Sequence, residues 1–360
     1  MFIDYSGKQV IPIEKREKKR RVTLQQVAEH AGVSRATASL IVRGSTNISE
    51  ATRKKVLESM RELGYVYDRV AANLRSQHSS TVGLLITEID NPFFSELLVG
   101  VHQSLDKDGY TVILGTTFDL MDKQDTLLST MLEYRVGGVI LSPVSKSTPE
   151  TIERLRKWDI PVVLVAKDIP GANCDYVGID NVEGGKLAVD HLIGLGHRRI
   201  AFLGGPSEST AWKDRNRGYL LAHEEAGIPV DRSLWIEGHA TVQGGVEVLR
   251  KVLNSPNPPT AAFCYNDVVS FGVMHGLKEA GLTPGKDLAI VGFDNIKEAA
   301  IYNPSLTTIA ATPELVGAHA ADLLHQRIRG LDEGPRRIIL KPKLVVRESC
   351  ASGPAGSGSY

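Results

Sequence analysis

Thr23–Gly44 reads TLQQVAEHAGVSRATASLIVRG, and this stretch decides the architecture of the amino-terminal part of the chain. Leu24, Val27, Ala28 and Ala31 share one helical face, and Ala38 and Ile41 share another, with no strand-like alternation. Thr23 is placed to cap a first helix, and Gly32, four residues beyond the small Ala28, allows the tight turn that two crossing helices need. Ser34 caps a second helix whose first turn is Arg35-Ala36-Thr37. In a helix-turn-helix, the first turn of the second helix faces the floor of a major groove. Arg35 can make a bidentate contact with a guanine, worth about 1–3 kcal/mol of discrimination, and Ser39 can reach a phosphate or a base edge. A third helical face, Val56, Met60 and Leu63, completes a small all-α unit ending near Tyr67.

Charge separates this head from the rest. The 360 residues carry no net charge, yet residues 1–80 hold 15 Lys/Arg against 8 Asp/Glu, and the remainder holds 27 against 34. A basic head on an acidic body predicts that only the head meets a polyanion. Residues 1–20, ending in Glu14-Lys15-Arg16-Glu17-Lys18-Lys19-Arg20, read either as a flexible basic arm or as a solvated tail. Cys174, Cys264 and Cys350 are odd in number and lack metal-ligand spacing, which suits a reducing compartment and a chain without metal or cofactor. No signal-peptide pattern and no run of 18 apolar residues is present, so a cytoplasmic protein that does not enter a membrane is expected. On that expectation Asn47-Ile48-Ser49 is not a glycosylation site.

Beyond a linker around Ser76–Thr81 the pattern changes. Apolar runs at Val82–Thr87, Tyr110–Gly115, Gly138–Ser142, Pro161–Ala166, Arg199–Gly204, Thr260–Cys264 and Leu288–Phe293 alternate with amphipathic segments. This rhythm predicts parallel sheets covered by helices on both faces. Some 270 residues are too many for one such sheet, so two doubly wound α/β lobes with a cleft between them are expected. Ligands of open α/β sheets settle at the carboxyl ends of the strands. The tail Ala351–Tyr360 is rich in Gly and Ser and reads as disordered.

Residues 22–350 resemble the lactose-repressor and galactose-repressor family of bacterial regulators. The head carries V-T-L-Q-Q-V-A-E-H-A-G-V-S-R-A-T-A-S, then I-S-E-A-T-R-K-K-V and E-L-G-Y. The body carries D-N-P-F-F (Asp90–Phe94), V-G-I-D-N-V-E-G-G (Val177–Gly185), L-G-H-R-R-I-A-F-L-G-G-P (Leu195–Pro206), D-R-N-R-G-Y (Asp214–Tyr219), Y-N-D (Tyr265–Asp267), V-G-F-D-N (Val291–Asn295) and P-S-L-T-T-I (Pro304–Ile309). Gln26, Leu40 and Tyr67 depart from the family pattern, Leu40 at a position where a polar base reader is frequent.

The resemblance implies a helix-turn-helix domain at 21–68 and a hinge helix with linker at 69–80, where Val70–Ser76 takes the hinge's place. It further implies a periplasmic-binding-protein-like core at 81–350, divided into a first lobe of 81–180 and 310–335 and a second of 181–309 and 336–350. It also implies a homodimer or tetramer on a pseudo-palindromic double-stranded operator, most simply as a repressor, with Leu74 wedged into the minor groove. DNA contact is expected from Thr23, Ser34, Arg35, Ala36, Thr37, Ser39, Asn47, Tyr65, Ala71 and Leu74. No leucine heptads follow Val346, which disfavours a coiled-coil tetramer.

Between the lobes the resemblance selects Asn91, Phe93, Phe94, Phe118, Asp180, Trp212, Lys213, Arg215, Asn266 and Asp294 as effector-binding residues. Carboxylates, amides and a guanidinium beside aromatic faces suit a carbohydrate, whose hydroxyls both donate and accept. Phe94 and Asp180 can equally be packing and capping residues, Trp212 a lobe cover and Lys213 a solvated charge; if Lys213 binds, a sugar phosphate is favoured. The alternatives are a transporter's solute-binding protein, which needs a signal peptide and no DNA head, and a sugar-binding α/β enzyme. Against an enzyme, no G-x-G-x-x-G follows the first strand, H-E-x-x-H and G-x-S-x-G are absent, and Gly184-Gly185-Lys186 lacks the hydroxyl and leading glycine of a phosphate loop.

Overall fold

The computed structural model describes residues 22–42, 45, 47–66, 79–331 and 333–350. The chain divides into two compact units at residues 77–78. The basic arm, the hinge segment with Ala71 and Leu74, and the carboxyl-terminal tail lie outside the described residues.

The amino-terminal unit packs α1 (Leu24–His30), α2 (Arg35–Val42) and α3 (Glu50–Leu63) around Val27, Ala28, Ala38, Ile41 and Val56. Gly32 takes φ +66° between α1 and α2, and Gly64 takes φ +65° after α3, a conformation in which a side chain would be strained. Thr23 and Gln26 form a capping box: the Gln26 amide N–H donates to Thr23 Oγ1 at 3.3 Å, and the Thr23 N–H donates to Gln26 Oε1 at 2.8 Å. The departure at Gln26 is thereby explained, because a carboxamide oxygen accepts this bond as a carboxylate would.

In the larger unit, β1 (Thr81–Ile86), α4 (Pro92–Asp106), β2 (Thr111–Thr116), α5 (Met121–Glu133), β3 (Gly138–Leu141), α6 (Pro149–Arg156), β4 (Val162–Val165) and β5 (Asp175–Ile179) follow one another. Next come α7 (Asn181–Gly194), β6 (Ile200–Leu203), α8 (Thr210–Glu225), β7 (Trp235–Ile236), α9 (Val242–Leu253), β8 (Ala261–Cys264), α10 (Asp267–Glu279), β9 (Ala289–Asp294), α11 (Glu298–Ile301) and β10 (Thr307–Ala310). The unit closes with α12 (Pro313–Ile328), β11 (Arg337–Leu340) and β12 (Lys343–Val345).

The strands form two six-stranded sheets, β11-β5-β4-β3-β1-β2 and β12-β10-β9-β8-β6-β7. All pairings are parallel except β10 with β12. β3 (GVIL), β4 (VVLV), β6 (IAFL) and β8 (AAFC) are buried along their whole length, as strands with both faces covered by helices must be. The chain passes between the sheets after β5, after β10 and after β11, so each lobe is discontinuous. One boundary needs correction. The sequence reading gave 336–350 to the second lobe, but β11 pairs with β5 of the first sheet, and only β12 joins the second. As an edge strand with alternating exposure, β11 carries no local mark of which sheet it completes. In both sheets the winding direction reverses beside the first strand of the lobe, β1 and β6, which opens a crevice at the strands' carboxyl ends. No helix among the described residues is long and apolar enough to cross a membrane.

Candidate functional site

In the head, the first turn of α2 stands outward. Ser34, Arg35 and Ala36 are exposed, Thr37 and Ser39 are half-buried, and Ala38 and Ile41 face the small core. Ser34 Oγ accepts the Thr37 N–H at 3.0 Å and lies 2.8 Å from Thr37 Oγ1, so both hydroxyls brace the helix start that carries Arg35. Asn47 is exposed in the turn before α3, whereas Tyr65 packs half-buried against the three-helix core. Leu40 is 47% exposed on α2, an apolar side chain available on the outward side.

In the larger unit, a cavity of about 670 Å³, counting solvent at its mouth, is lined by both lobes at the carboxyl ends of their strands. The first lobe contributes Thr87, Glu88 and Asn91 after β1, Asp119 after β2, and Lys167 after β4; Phe93 and Phe94 lie at the start of α4. The second contributes Arg215 from α8, Tyr265 and Asn266 after β8, and Asp294 at the end of β9. Asn91 and Asn266 cap α4 and α10, their Oδ1 atoms accepting from the Phe93 N–H at 3.0 Å and the Val269 N–H at 2.9 Å. Each amide is thereby oriented with its Nδ2 group left to donate.

The Arg215 guanidinium is held on every side. Its Nε donates to Asn181 Oδ1 at 2.9 Å, Nη1 donates to the Tyr265 carbonyl, and Nη2 lies 3.8 Å from Asp294 Oδ1. Its central carbon sits 3.6 Å from the Phe293 ring centroid and 4.8 Å from that of Tyr265. On the other side, Lys167 Nζ donates to Asp119 Oδ1 at 3.0 Å, and the Ser145 N–H and Oγ–H donate to the same carboxylate at 2.9 and 2.7 Å.

Burial drives the carboxyls of this cavity upward. Glu88 is raised to about 7, by loss of water and by Asp90 and Asp119, against the pull of Lys167. Asp294 is likewise raised to about 7 by burial, opposed by Arg215 and reinforced by Glu88 and Glu96. Behind it Asp267 is fully buried and pushed well up by burial and by Asp294, while accepting the Ile296 N–H at 3.0 Å and the Thr308 hydroxyl.

Residues 23–68 match the family model for bacterial regulatory proteins of the lacI family, and residues 189–350 the model for a periplasmic binding protein-like domain. The HTH-type transcriptional repressor PurR of Vibrio vulnificus is 35% identical over 328 residues, which is 91% of this chain and 98% of that protein. The chain belongs to the lacI family of bacterial regulatory proteins. Its fold matches a lac repressor dimer bound to operator and the anti-inducer ONPF, with TM-score 0.78 and 27% identity over 92% of this chain and 99% of that one. A transcriptional regulator CelR–cellobiose complex matches with TM-score 0.70 and 33% identity, over 91% of this chain and 100% of that one. This lacI-family chain is a DNA-binding transcriptional regulator with a ligand-binding core.

Within the lacI-family core, six of the ten residues chosen from sequence line the cavity: Asn91, Phe93, Phe94, Arg215, Asn266 and Asp294. The other four lie outside its lining. Phe118 is 51% exposed with the Lys123 ammonium 5.5 Å from its ring, and its neighbour Asp119 faces the cavity instead. Asp180 is committed to capping α7, accepting the Glu183 N–H at 3.0 Å. Trp212 is buried against Phe202, and its Nε1 donates to the Gly204 carbonyl at 3.1 Å. Lys213 is exposed and outside the cavity lining, which removes the argument it offered for an anionic ligand. Sequence reasoning missed Glu88, Asp119, Lys167 and Tyr265. The strand-end rule contained the signal, since Glu88 and Lys167 directly follow the apolar runs Val82–Thr87 and Pro161–Ala166.

Proposed function

We propose that this protein is a repressor that binds a pseudo-palindromic operator as a homodimer and is controlled by a polyhydroxylated effector closing between the lobes of each core. One observation carries the reading. A single cavity gathers donors and acceptors fixed from both lobes, Asn91, Lys167 and Asp119 from one and Arg215, Asn266 and Asp294 from the other. A ligand bridging them favours one relative orientation of the lobes, and that preference is the differential affinity that control of DNA binding requires. The family relationship supplies the operator side, with Arg35 as base reader and Ser34, Thr37, Ser39, Asn47, Tyr65, Thr23 and Ala36 around it; Ala71 and Leu74 belong to the proposed hinge. The protein works where the chromosome is, in the cytoplasm, and acts by binding rather than by turnover.

The test is an electrophoretic mobility shift on the protein's own promoter, with and without a panel of sugars. Arg35→Ala should lower operator selection by about 1–3 kcal/mol, roughly five- to 150-fold, against a control duplex. Asp294→Ala should keep operator binding and lose the sugar response. Unchanged selection in the first variant, or an intact response in the second, overturns the corresponding half of the proposal.

A further inference from the structure

The charged groups of the cavity divide unevenly. Of its two cations, Lys167 is 3.0 Å from Asp119, and Arg215 is engaged by Asn181, the Tyr265 carbonyl, two aromatic faces and Asp294. Each cation thus has a carboxyl beside it already, with which an anionic ligand would compete. The third carboxyl, Glu88, has no hydrogen-bond donor among the described residues and stands at the cavity wall after β1. Around it are Asp90 on its own loop, Asp119 from the β2 loop and Lys167 from the β4 loop. Across the cavity Asp294 bears a buried carboxyl that senses Glu88, with Arg215 beside it, Asp267 behind it, and Glu96 of α4 nearby, itself 3.9 Å from Lys297.

Resting on the reading of this cavity as the effector site, we propose that it takes a neutral or ammonium-bearing polyol and rejects phosphorylated and carboxylated ones, and that Glu88 determines this choice. A phosphate entering here meets three carboxyls and two cations already paired, and gains only the amide donors of Asn91 and Asn266 for the water it gives up. A hydroxyl or an ammonium, by contrast, finds in Glu88 a group without a protein partner. With burial raising Glu88 to about 7, the carboxyl is poised between donating to a sugar oxygen and accepting from an ammonium. An ammonium ligand binds best where Glu88 has lost its proton and the ligand's own amine still holds one, so its affinity should climb as pH rises from 6 towards neutrality and fall again once the amine deprotonates, while that of a neutral sugar stays level or falls.

The experiment uses the full-length protein in isothermal calorimetry, with matched neutral sugars, 2-amino sugars and sugar 6-phosphates, and with inorganic phosphate alone as an anion probe. The expected result is that the tightest binders are neutral or amino compounds and that phosphate gives no heat. Glu88→Gln should abolish the rise in amino-sugar affinity on the acid side of neutrality and lower that affinity at least tenfold relative to its neutral counterpart. Asp119→Asn supplies a second readout through a gain: freeing the Lys167 ammonium should confer measurable binding of inorganic phosphate. A sugar phosphate binding more tightly than its parent sugar overturns the proposal, as does inorganic phosphate competing with the effector on the unaltered protein. Silence from the whole panel, with operator binding intact, overturns the polyol reading of the cavity and the charge inference together.

Discussion

At Asp294 the backbone and the electrostatics meet in one residue. It ends β9 with φ +120°, outside the range an L residue ordinarily adopts, and Asn295 follows at φ +56°. The Asp267 carboxylate, accepting from the Ile296 N–H, holds this turn in place from beneath. Because Asp294 is raised from 3.8 to about 7 in the folded protein, the folded state binds more protons than the unfolded chain between those values. Stability contributed by the protonated form is therefore present at low pH and lost as pH rises through about 7. Thermal melts of the ligand-free protein from pH 5 to 8 should show Tm falling with pH, and Asp294→Asn should reduce that slope while leaving the share that Glu88, raised likewise to about 7, contributes; an unaltered slope would place the titration elsewhere. Single residues also show what the sequence could and could not disclose. Asn91, Phe93, Phe94, Asn266 and Asp294 were accessible because motif and strand end lie together there, and Arg215, inside α8, through its motif. Phe118 and Asp119 are adjacent, both with left-handed backbone, at φ 51° and 55°. Which of the two faces the cavity is decided by that turn, and chemistry alone favours the aromatic ring. Asp180 is spent on a helix cap that any loop-to-helix boundary could equally demand.

At the level of elements, close helix packing decides where Arg215 stands. A methyl group on Gly185 of α7 would come within 2.3 Å of the Arg215 carbonyl oxygen on α8, and one on Gly218 of α8 within 2.1 Å of the Val182 carbonyl oxygen. The two helices thus touch backbone to backbone, and of the glycines that resemble a phosphate loop in the sequence Gly185 serves this contact while Gly184 makes room for the Phe293 ring of β9. Lys186, next in line, pairs with Asp190 and Glu225, each at 2.8 Å. Gly185→Ala should force α7 and α8 apart, costing about 1–3 kcal/mol of stability through overpacking. Displacing α8 moves the guanidinium from its slot between Phe293 and Tyr265, so effector affinity should fall with it. Calorimetry and a denaturant melt check both effects; wild-type affinity in a destabilised variant would show that Arg215 is positioned by its ring contacts alone. Periodicity sufficed to announce these α/β units, because fully buried strands read as continuous apolar runs. The lobe to which β11 belongs was not legible, since strand pairing across a long sequence separation leaves no trace in the strand itself.

For the core as a whole, the question is what holds the two lobes about their cavity. Among the described residues, three bridges cross between them. Lys146 after β3 lies 3.5 Å from Glu208 after β6, Lys297 after β9 lies 3.9 Å from Glu96 on α4, and the Asp168 N–H donates to Thr210 Oγ1 of α8 at 3.0 Å. Arg337 of β11 steadies the last by donating to the Asp168 carboxylate at 2.7 Å, which gives that late-arriving strand a part in the cavity's rim. The two ion pairs involve well-exposed lysines, so each is worth at most about 1 kcal/mol and is weakened by salt. Such weak latches bias an equilibrium between lobe orientations without locking it, as a switch operated by a small ligand requires. Lys146→Glu, which sets two like charges face to face, should weaken effector binding by roughly two- to fivefold while leaving the affinity of the head for nonspecific duplex unchanged. The reciprocal exchange, Lys146→Glu with Glu208→Lys, should restore affinity in a double-mutant cycle measured at low salt, and the difference between the single and double variants should shrink at 0.5 M salt. If the double variant binds no better than the single one, the pair does not act between the lobes, and closure depends on the ligand and the Asp168–Thr210 contact.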